Sequence, residues 1–342
     1  MKKVFFIILG VALIGVGLYF MTNSSSTKDA SNNNKNSIDI SKVEKSSVVA
    51  SFYPLAFMAE EIGGELVEVK NLAGSVSAHK YQLTPQDLVS LNEADLVLVQ
   101  GINLEPWSDD MTHELSEKGV LTLKVTEGLS LYKPEEHNEH DNENAHSNGD
   151  GHDEHKEVNN DEYGYDEHNH GAFDPHTWLD PVLAQQMVDN ISKAMQEMRP
   201  TDAKVFQDNA DKLKVRLQEL NISFAQGLSS CEQTEVIVSH NAYGYLAHHY
   251  GFQTHAIAGL SVADEPSAKI LTNLKAEAKD GITHILIEEN SVRKFADTLI
   301  NETGLIPLPV NPLGRGTLDK NKNFFDVMEA NLQSFKTGLN CK

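Results

Sequence analysis

The sequence predicts an α/β protein: two (β/α) lobes with parallel sheets, joined by a long backbone α-helix. Three observations carry that prediction. The run Val48-Val49-Ala50-Ser51 is a short β pattern, followed from Tyr53 by a helical stretch that closes on Gly63 and Gly64. The same order recurs 188 positions later, where Val236-Ile237-Val238-Ser239 leads into a stretch closing on Gly251. A second pair, Ala94 to Gly101 and Thr283 to Asn290, is built around continuous apolar runs, as strands buried between helices in a parallel sheet require. Between the two halves, Phe206, Ala210, Leu213, Leu217, Leu220 and Phe224 step by four and three, the stripe of an amphipathic helix packed along both lobes.

Taken in order, residues 1–22 begin Met1-Lys2-Lys3 and continue as 18 apolar residues from Val4 to Met21. Lysines ahead of such a stretch place themselves in the cytoplasm and the rest of the chain outside. An uncleaved membrane anchor is favoured over a cleaved signal, since no small-x-small cleavage site follows closely and no cysteine is there to take a lipid. Cleavage would instead leave a secreted or periplasmic protein. Residues 23–46, rich in Ser, Asn and Lys, are expected to form a flexible stalk. The N-terminal lobe is assigned to 47–180 and contains an insertion, expected to be disordered, at 135–170. Linking helices take 181–228: Asp180 caps and Pro181 opens a helix reaching about Arg199, and Pro200 starts the striped helix. The C-terminal lobe takes 229–342. Its Cys231 and Cys341 are the chain's two cysteines, and in an exported protein such a pair reads as a disulfide. Thiolate metal ligation is the alternative, without the ligand spacing that normally marks it.

The formal net charge is −22, but thirteen acids and one lysine within 135–170 contribute about −12 of it. The folded remainder is only moderately acidic. Acidity of this kind repels phosphate backbones, so nucleic acid is excluded as a partner and cations become the natural ligand. The insertion also holds seven of the fifteen histidines: His137, His140, His146, His152, His155, His168 and His170. Imidazole and carboxylate together supply ligands for a divalent transition metal, so these seven are candidate accessory metal sites. The alternative is a solvated acidic linker with incidental histidines.

Three further histidines sit where a strand or loop hands over to a helix. His79 lies in a polar approach to a helix beginning near Thr84; His176 lies in the loop before the Asp180 cap. His240 follows the strand Val236 to Ser239, and the carboxyl ends of parallel strands face the ligand crevice. Convergent, they would offer neutral imidazoles to zinc. Position alone leaves other readings open: His79 as a surface loop residue, His240 as a helix cap, His176 as the last member of the acidic stretch.

Four ordered motifs bear on that choice. They are His79-Lys80-Tyr81-Gln82-Leu83-Thr84-Pro85-Gln86-Asp87, Asp174-Pro175-His176-Thr177-Trp178-Leu179-Asp180-Pro181, Ser239-His240-Asn241-Ala242-Tyr243-Gly244-Tyr245-Leu246 and Gly259-Leu260-Ser261-Val262-Ala263-Asp264-Glu265-Pro266-Ser267. Together they resemble the solute-binding proteins of zinc/manganese ABC transporters, and more narrowly the zinc-type, ZnuA-like and AdcA-like members, from about Val48 to the C-terminus. The resemblance implies a metal site in the cleft between the lobes, with His79, His176 and His240 at the ligand positions. Manganese-type relatives commonly carry a carboxylate where this chain has His240; the added imidazole makes Zn²⁺ the expected ion and Mn²⁺ the less suited one. It also implies an extracytoplasmic, monomeric ectodomain that passes zinc to an ABC permease in the membrane. A stand-alone surface zinc buffer or adhesin is the competing reading.

One departure stands out. Zinc-type relatives often read Asn-Pro-Leu-Glu, with that Glu as fourth ligand, whereas this chain has Asn311-Pro312-Leu313-Gly314. Water, or transiently a histidine of the insertion, is expected to complete the tetrahedron. Three protein ligands and an open position are also the pattern of a zinc hydrolase, but no glutamate stands beside the three histidines in a spacing that suggests a general base, and the chain is read as a non-enzyme. Because capture needs neutral imidazoles, affinity is expected to fall as pH drops through about 6.5.

Overall fold

The computed structural model describes residues 44–102, 104–132, 173–260, 266–288, 293–316, 319 and 321–342. Their strands form two four-stranded parallel sheets. The first contains β1 (Ser46–Ala50), β2 (Val67–Asn71), β3 (Leu96–Val99) and β4 (Leu121–Lys124) in the order β2-β1-β3-β4. The second contains β5 (Glu235–His240), β6 (Gln253–Ala258), β7 (His284–Glu288) and β8 (Ile306–Val310) in the order β6-β5-β7-β8. The two orders are the same. Each pair of segments that echoed in the sequence therefore occupies equivalent places: β1 with β5, and β3 with β7.

Helices cover the sheets. α1 (Tyr53–Gly63), α2 (Pro85–Asn92) and α3 (Ser108–Glu117) belong to the first half; α6 (Gly244–Tyr250), α7 (Ala268–Lys279), α8 (Arg293–Thr303) and α9 (Phe324–Gly338) belong to the second. Local chemistry sets several of their ends. Thr84 and Asp87 form a reciprocal capping box at the start of α2, Gly64 leaves α1 with φ 53°, and Gly251 leaves α6 with φ 77°.

Two helices join the halves. α4 (Pro181–Met198) starts on Asp180, whose carboxylate accepts from the amides of Val182 and Leu183. A short 3-10 turn at Pro200–Asp202 leads into α5 (Ala203–Gly227). The buried residues of α5 are Phe206, Ala210, Leu213, Leu217, Leu220 and Phe224, the stripe read from the sequence. α5 packs on α1 at one end and on α9 at the other, and one apolar cluster runs from Val48 through Met187 and Phe224 to Val236 and Phe335. Such a core resists opening of one sheet relative to the other.

Cys231 and Cys341 are bonded as a disulfide, which removes the thiolate alternative. Backbone bonds from Glu232 and Gln233 to Asn340 and Leu339 flank it, so the last residues are stitched to the approach to β5. The seven histidines at 137, 140, 146, 152, 155, 168 and 170 lie outside the described residues, as do residues 1–43 and the Ser261 to Glu265 part of the fourth motif. Among the described residues, no helix is long and apolar enough to cross a membrane.

Candidate metal centre

His240 is the last residue of β5, paired with Ala258, rather than the residue after the strand. The chain then turns through Asn241 and Ala242, and α6 starts at Gly244 with Tyr243 at its N-cap and no side-chain cap. The helix-cap reading of His240 therefore fails. Its imidazole is 3% exposed.

His79 sits in a one-turn 3-10 helix, Ala78–Lys80, after β2. The Ala78 amide donates to the Gly314 carbonyl at 3.0 Å, tying this turn to the loop after β8. On its other side Tyr81 donates to Asp87 at 2.6 Å, so the α2 capping box also holds the segment that follows His79. A surface loop residue is not what this position provides.

His176 is 1% exposed and is held by its neighbours from both directions. Its amide donates to Asp174 Oδ1 at 2.9 Å and its Nδ1 lies 2.7 Å from the same oxygen. Gln100, just beyond β3, donates from Nε2 to the Pro175 carbonyl and to Thr177 Oγ1, both at 2.7 Å. Trp178 donates to the Pro312 carbonyl at 2.7 Å and packs edge-on against Phe52. A Cβ on Gly244 would stand 2.7 Å from Asp174 Oδ2, so a side chain there would have to displace that carboxyl.

These three elements bring the rings together. His79 Nε2 and His176 Nε2 are 3.1 Å apart. The His240 ring centroid lies 5.5 Å from that of His79 and 4.9 Å from that of His176. One nitrogen from each ring lies within 4.8 Å of the others. Tetrahedral zinc with Zn–N bonds of about 2.0–2.1 Å sets its nitrogens about 3.3 Å apart, so the His79–His176 spacing fits two ligands of one ion.

Electrostatics favours lone pairs over protons. Burial, with the charges of His176, His240 and Lys80 adding to it, pushes His79 down to about 2. Burial and His240 hold His176 well below the usual imidazole value. Both rings are neutral through the physiological range, so the expected loss of affinity near pH 6.5 does not come from either of them. Burial pushes Asp174 up to about 7, opposed by the His176 amide and by His240.

A groove of about 770 Å³ runs along β6 and contains none of the three histidines. The described residues also include neighbours that sequence spacing did not assign. Asp174 stood in a quoted motif without a role. Glu288, at the carboxyl end of β7, lies 3.3 Å from His240 Nδ1, so a glutamate does stand beside the cluster. The strand-end argument that singled out His240 applies equally to Glu288 and was the available signal. Gln100 had none, because its partners lie 75 and 77 positions away. Gly314 borders the site through its carbonyl and offers no donor side chain, and the space where its Cβ would sit is open.

The family model for the zinc-uptake complex component A, periplasmic (ZnuA), matches residues 48–338. The chain belongs to the ZnuA family. It is 32% identical over 297 residues to the zinc-binding lipoprotein AdcA of Streptococcus pneumoniae, covering 85% of this chain and 55% of that protein. The chain thus spans about half the length of that relative. It is 33% identical over 304 residues to the high-affinity zinc uptake system protein ZnuA of Bacillus subtilis, covering 87% of this chain and 89% of the relative. Among solved structures, the Zn(II)-bound ZnuA-like domain of Streptococcus pneumoniae AdcA superposes with a TM-score of 0.67 at 28% identity, over 87% of this chain and all of that one. The Bacillus subtilis metal-dependent lipoprotein YcdH gives 0.68 at 29%, over 86% of this chain and all of the other. The ZnuA fold, two parallel sheets flanked by helices, is the architecture described for this chain.

Proposed function

We propose that this ZnuA-family chain is the extracytoplasmic zinc-binding subunit of an ABC importer. It captures Zn²⁺ with His79, His176 and His240 and delivers the ion to a membrane permease, acting as a monomeric ectodomain held at the membrane by residues 1–22. One observation carries the reading: three buried or half-buried imidazoles, two of them with Nε2 atoms 3.1 Å apart, converge from β5, from the turn after β2 and from the turn before α4. Three nitrogen donors with no carboxylate among the convergent atoms suit a borderline ion such as zinc better than a hard ion such as Mn²⁺. Solvent completes the tetrahedron. The relatives named for zinc uptake and the zinc-loaded AdcA domain support the choice of cargo.

Zinc titration of the purified chain is expected to reveal one tight site. Changing His79, His176 and His240 together to Ala is expected to abolish it while the protein stays folded. Tight binding that survives the triple change would sink the assignment.

A further inference from the structure

His240 stands between two acceptors. Its Nε2 lies 2.9 Å from the Leu260 carbonyl, and its Nδ1 lies 3.3 Å from Glu288 Oε2. A neutral imidazole carries one N–H, which satisfies one of the two. With the proton on Nε2 and donated to Leu260, Nδ1 and Glu288 Oε2 are left facing each other, both buried and neither with a hydrogen-bond partner. Such a pair is costly at that depth.

We propose that Glu288 is the positioning residue of His240. When zinc occupies Nε2 the ring's single proton resides on Nδ1, and the Glu288 carboxylate accepts it. The ring stays neutral and no proton is lost; the metal replaces the Leu260 carbonyl at Nε2 and the N–H passes from one nitrogen to the other. This inference rests on the three-histidine zinc reading and adds a residue to it.

Three further observations support the assignment. His176 already shows the same arrangement, with Nδ1 on the buried Asp174 carboxyl and Nε2 toward the cluster, so both buried histidines would be backed by a carboxylate. Glu288 is itself held in place: its amide donates to Ser239 Oγ at 2.9 Å, and Arg315 Nε lies 3.9 Å from its second oxygen. Among the described residues the convergent donor group is the three histidines, without Glu288, so the carboxyl acts through His240 rather than on the ion.

The test uses the full chain, labelled with ¹⁵N-histidine, with and without zinc; a His240→Ala chain assigns the resonance. The zinc-loaded protein is expected to show His240 as the Nδ1–H tautomer. Glu288→Ala should weaken zinc binding about 10–100-fold, and Glu288→Gln, which keeps an acceptor oxygen, should recover part of that loss. An Nε2–H tautomer in the zinc-loaded chain overturns the proposal, as does a Glu288→Ala affinity within twofold of the unaltered protein. The tautomer is read on the unaltered chain, so a variant that fails to fold does not remove the test. Tight zinc binding by His240→Ala would instead overturn the three-histidine site itself, whereas loss on His240→Ala with no change on Glu288→Ala overturns the positioning role alone.

Discussion

In the first sheet, the central strands β1 and β3 run out into Ser51 and Gln100; in the second, the equivalent strands β5 and β7 end in His240 and Glu288. The strand order is shared, and all four side chains are buried. Their uses differ. Ser51 and the Gln100 amide both donate to the buried Glu105 carboxyl, and the Gln100 side chain donates to the Pro175 carbonyl and to the Thr177 hydroxyl on either side of His176. The first sheet therefore fixes the turn of the proposed ligand His176, which another segment carries. The second sheet presents the proposed ligand His240 directly, with the Glu288 carboxyl beside it. A repeated topology supplies the same strand ends twice, and the residue types there decide whether an end holds a neighbouring turn or joins the histidine cluster.

The disulfide provides the largest expected contrast, since it closes only the second half. Replacing Cys231 and Cys341 by Ser is expected to cost about 2–5 kcal/mol of stability in urea unfolding, because a loop of 110 positions is no longer closed in the unfolded chain. Zinc affinity should stay within about threefold, since the bond touches none of the three rings; a large loss of binding would mean that the two halves are coupled through the C-terminus.

The strand ends themselves come next. His240→Ala is expected to weaken zinc binding by about 100-fold or more, the equivalent of about 2.7 kcal/mol, while Ser51→Ala in the other sheet should change it less than about threefold. Equal effects in a chelator-competition titration would erase the distinction between the sheets.

Gln100→Ala probes the indirect role. It removes the donor of two buried hydrogen bonds and should cost about 1–3 kcal/mol in thermal or urea unfolding, with a smaller loss of zinc affinity through His176. An unchanged melting temperature would show that the first sheet does not hold the His176 turn as described.

The remaining effect is a slope. His79 and His176 are neutral in the fold and have folded values lowered from the ordinary 6.5, His79 to about 2. Below 6.5 the unfolded chain binds more protons than the folded one, so these rings contribute stability that is fully present above 6.5 and is lost as pH falls toward the folded values. Metal-free protein should lose at most about 1.4 kcal/mol per pH unit for each ring in that window. The His79→Ala, His176→Ala double variant should show a flatter pH dependence by calorimetry; an equally steep one would place the titrating groups elsewhere.

Much of the fold was legible because its signals are local. The apolar runs of β3 and β7, the Thr84 and Asp180 caps and the α5 stripe each need only neighbouring residues to take effect. His79, His176 and His240 were legible as candidates for a related reason: each lies beside a recognisable strand end or helix start. The boundary at His240 was misplaced by one residue, because pairing with Ala258 across β6 extends the strand and the sequence of β5 carries no sign of that partner. Glu288 and Gln100 were passed over, since their roles exist only toward residues far along the chain.

The sequence by itself determined the two repeated βα patterns, the helix between them and three imidazoles placed at element ends, all products of short-range periodicity and backbone capping. Tertiary structure decided which atoms meet. Parallel pairing sets the end of β7 close to that of β5 and so puts Glu288 against His240; the contact from Ala78 to Gly314 and the grip of Gln100 on the His176 turn bring the other rings in from separate segments. Such convergence follows from how whole sheets pack around one core, and no local pattern contains it.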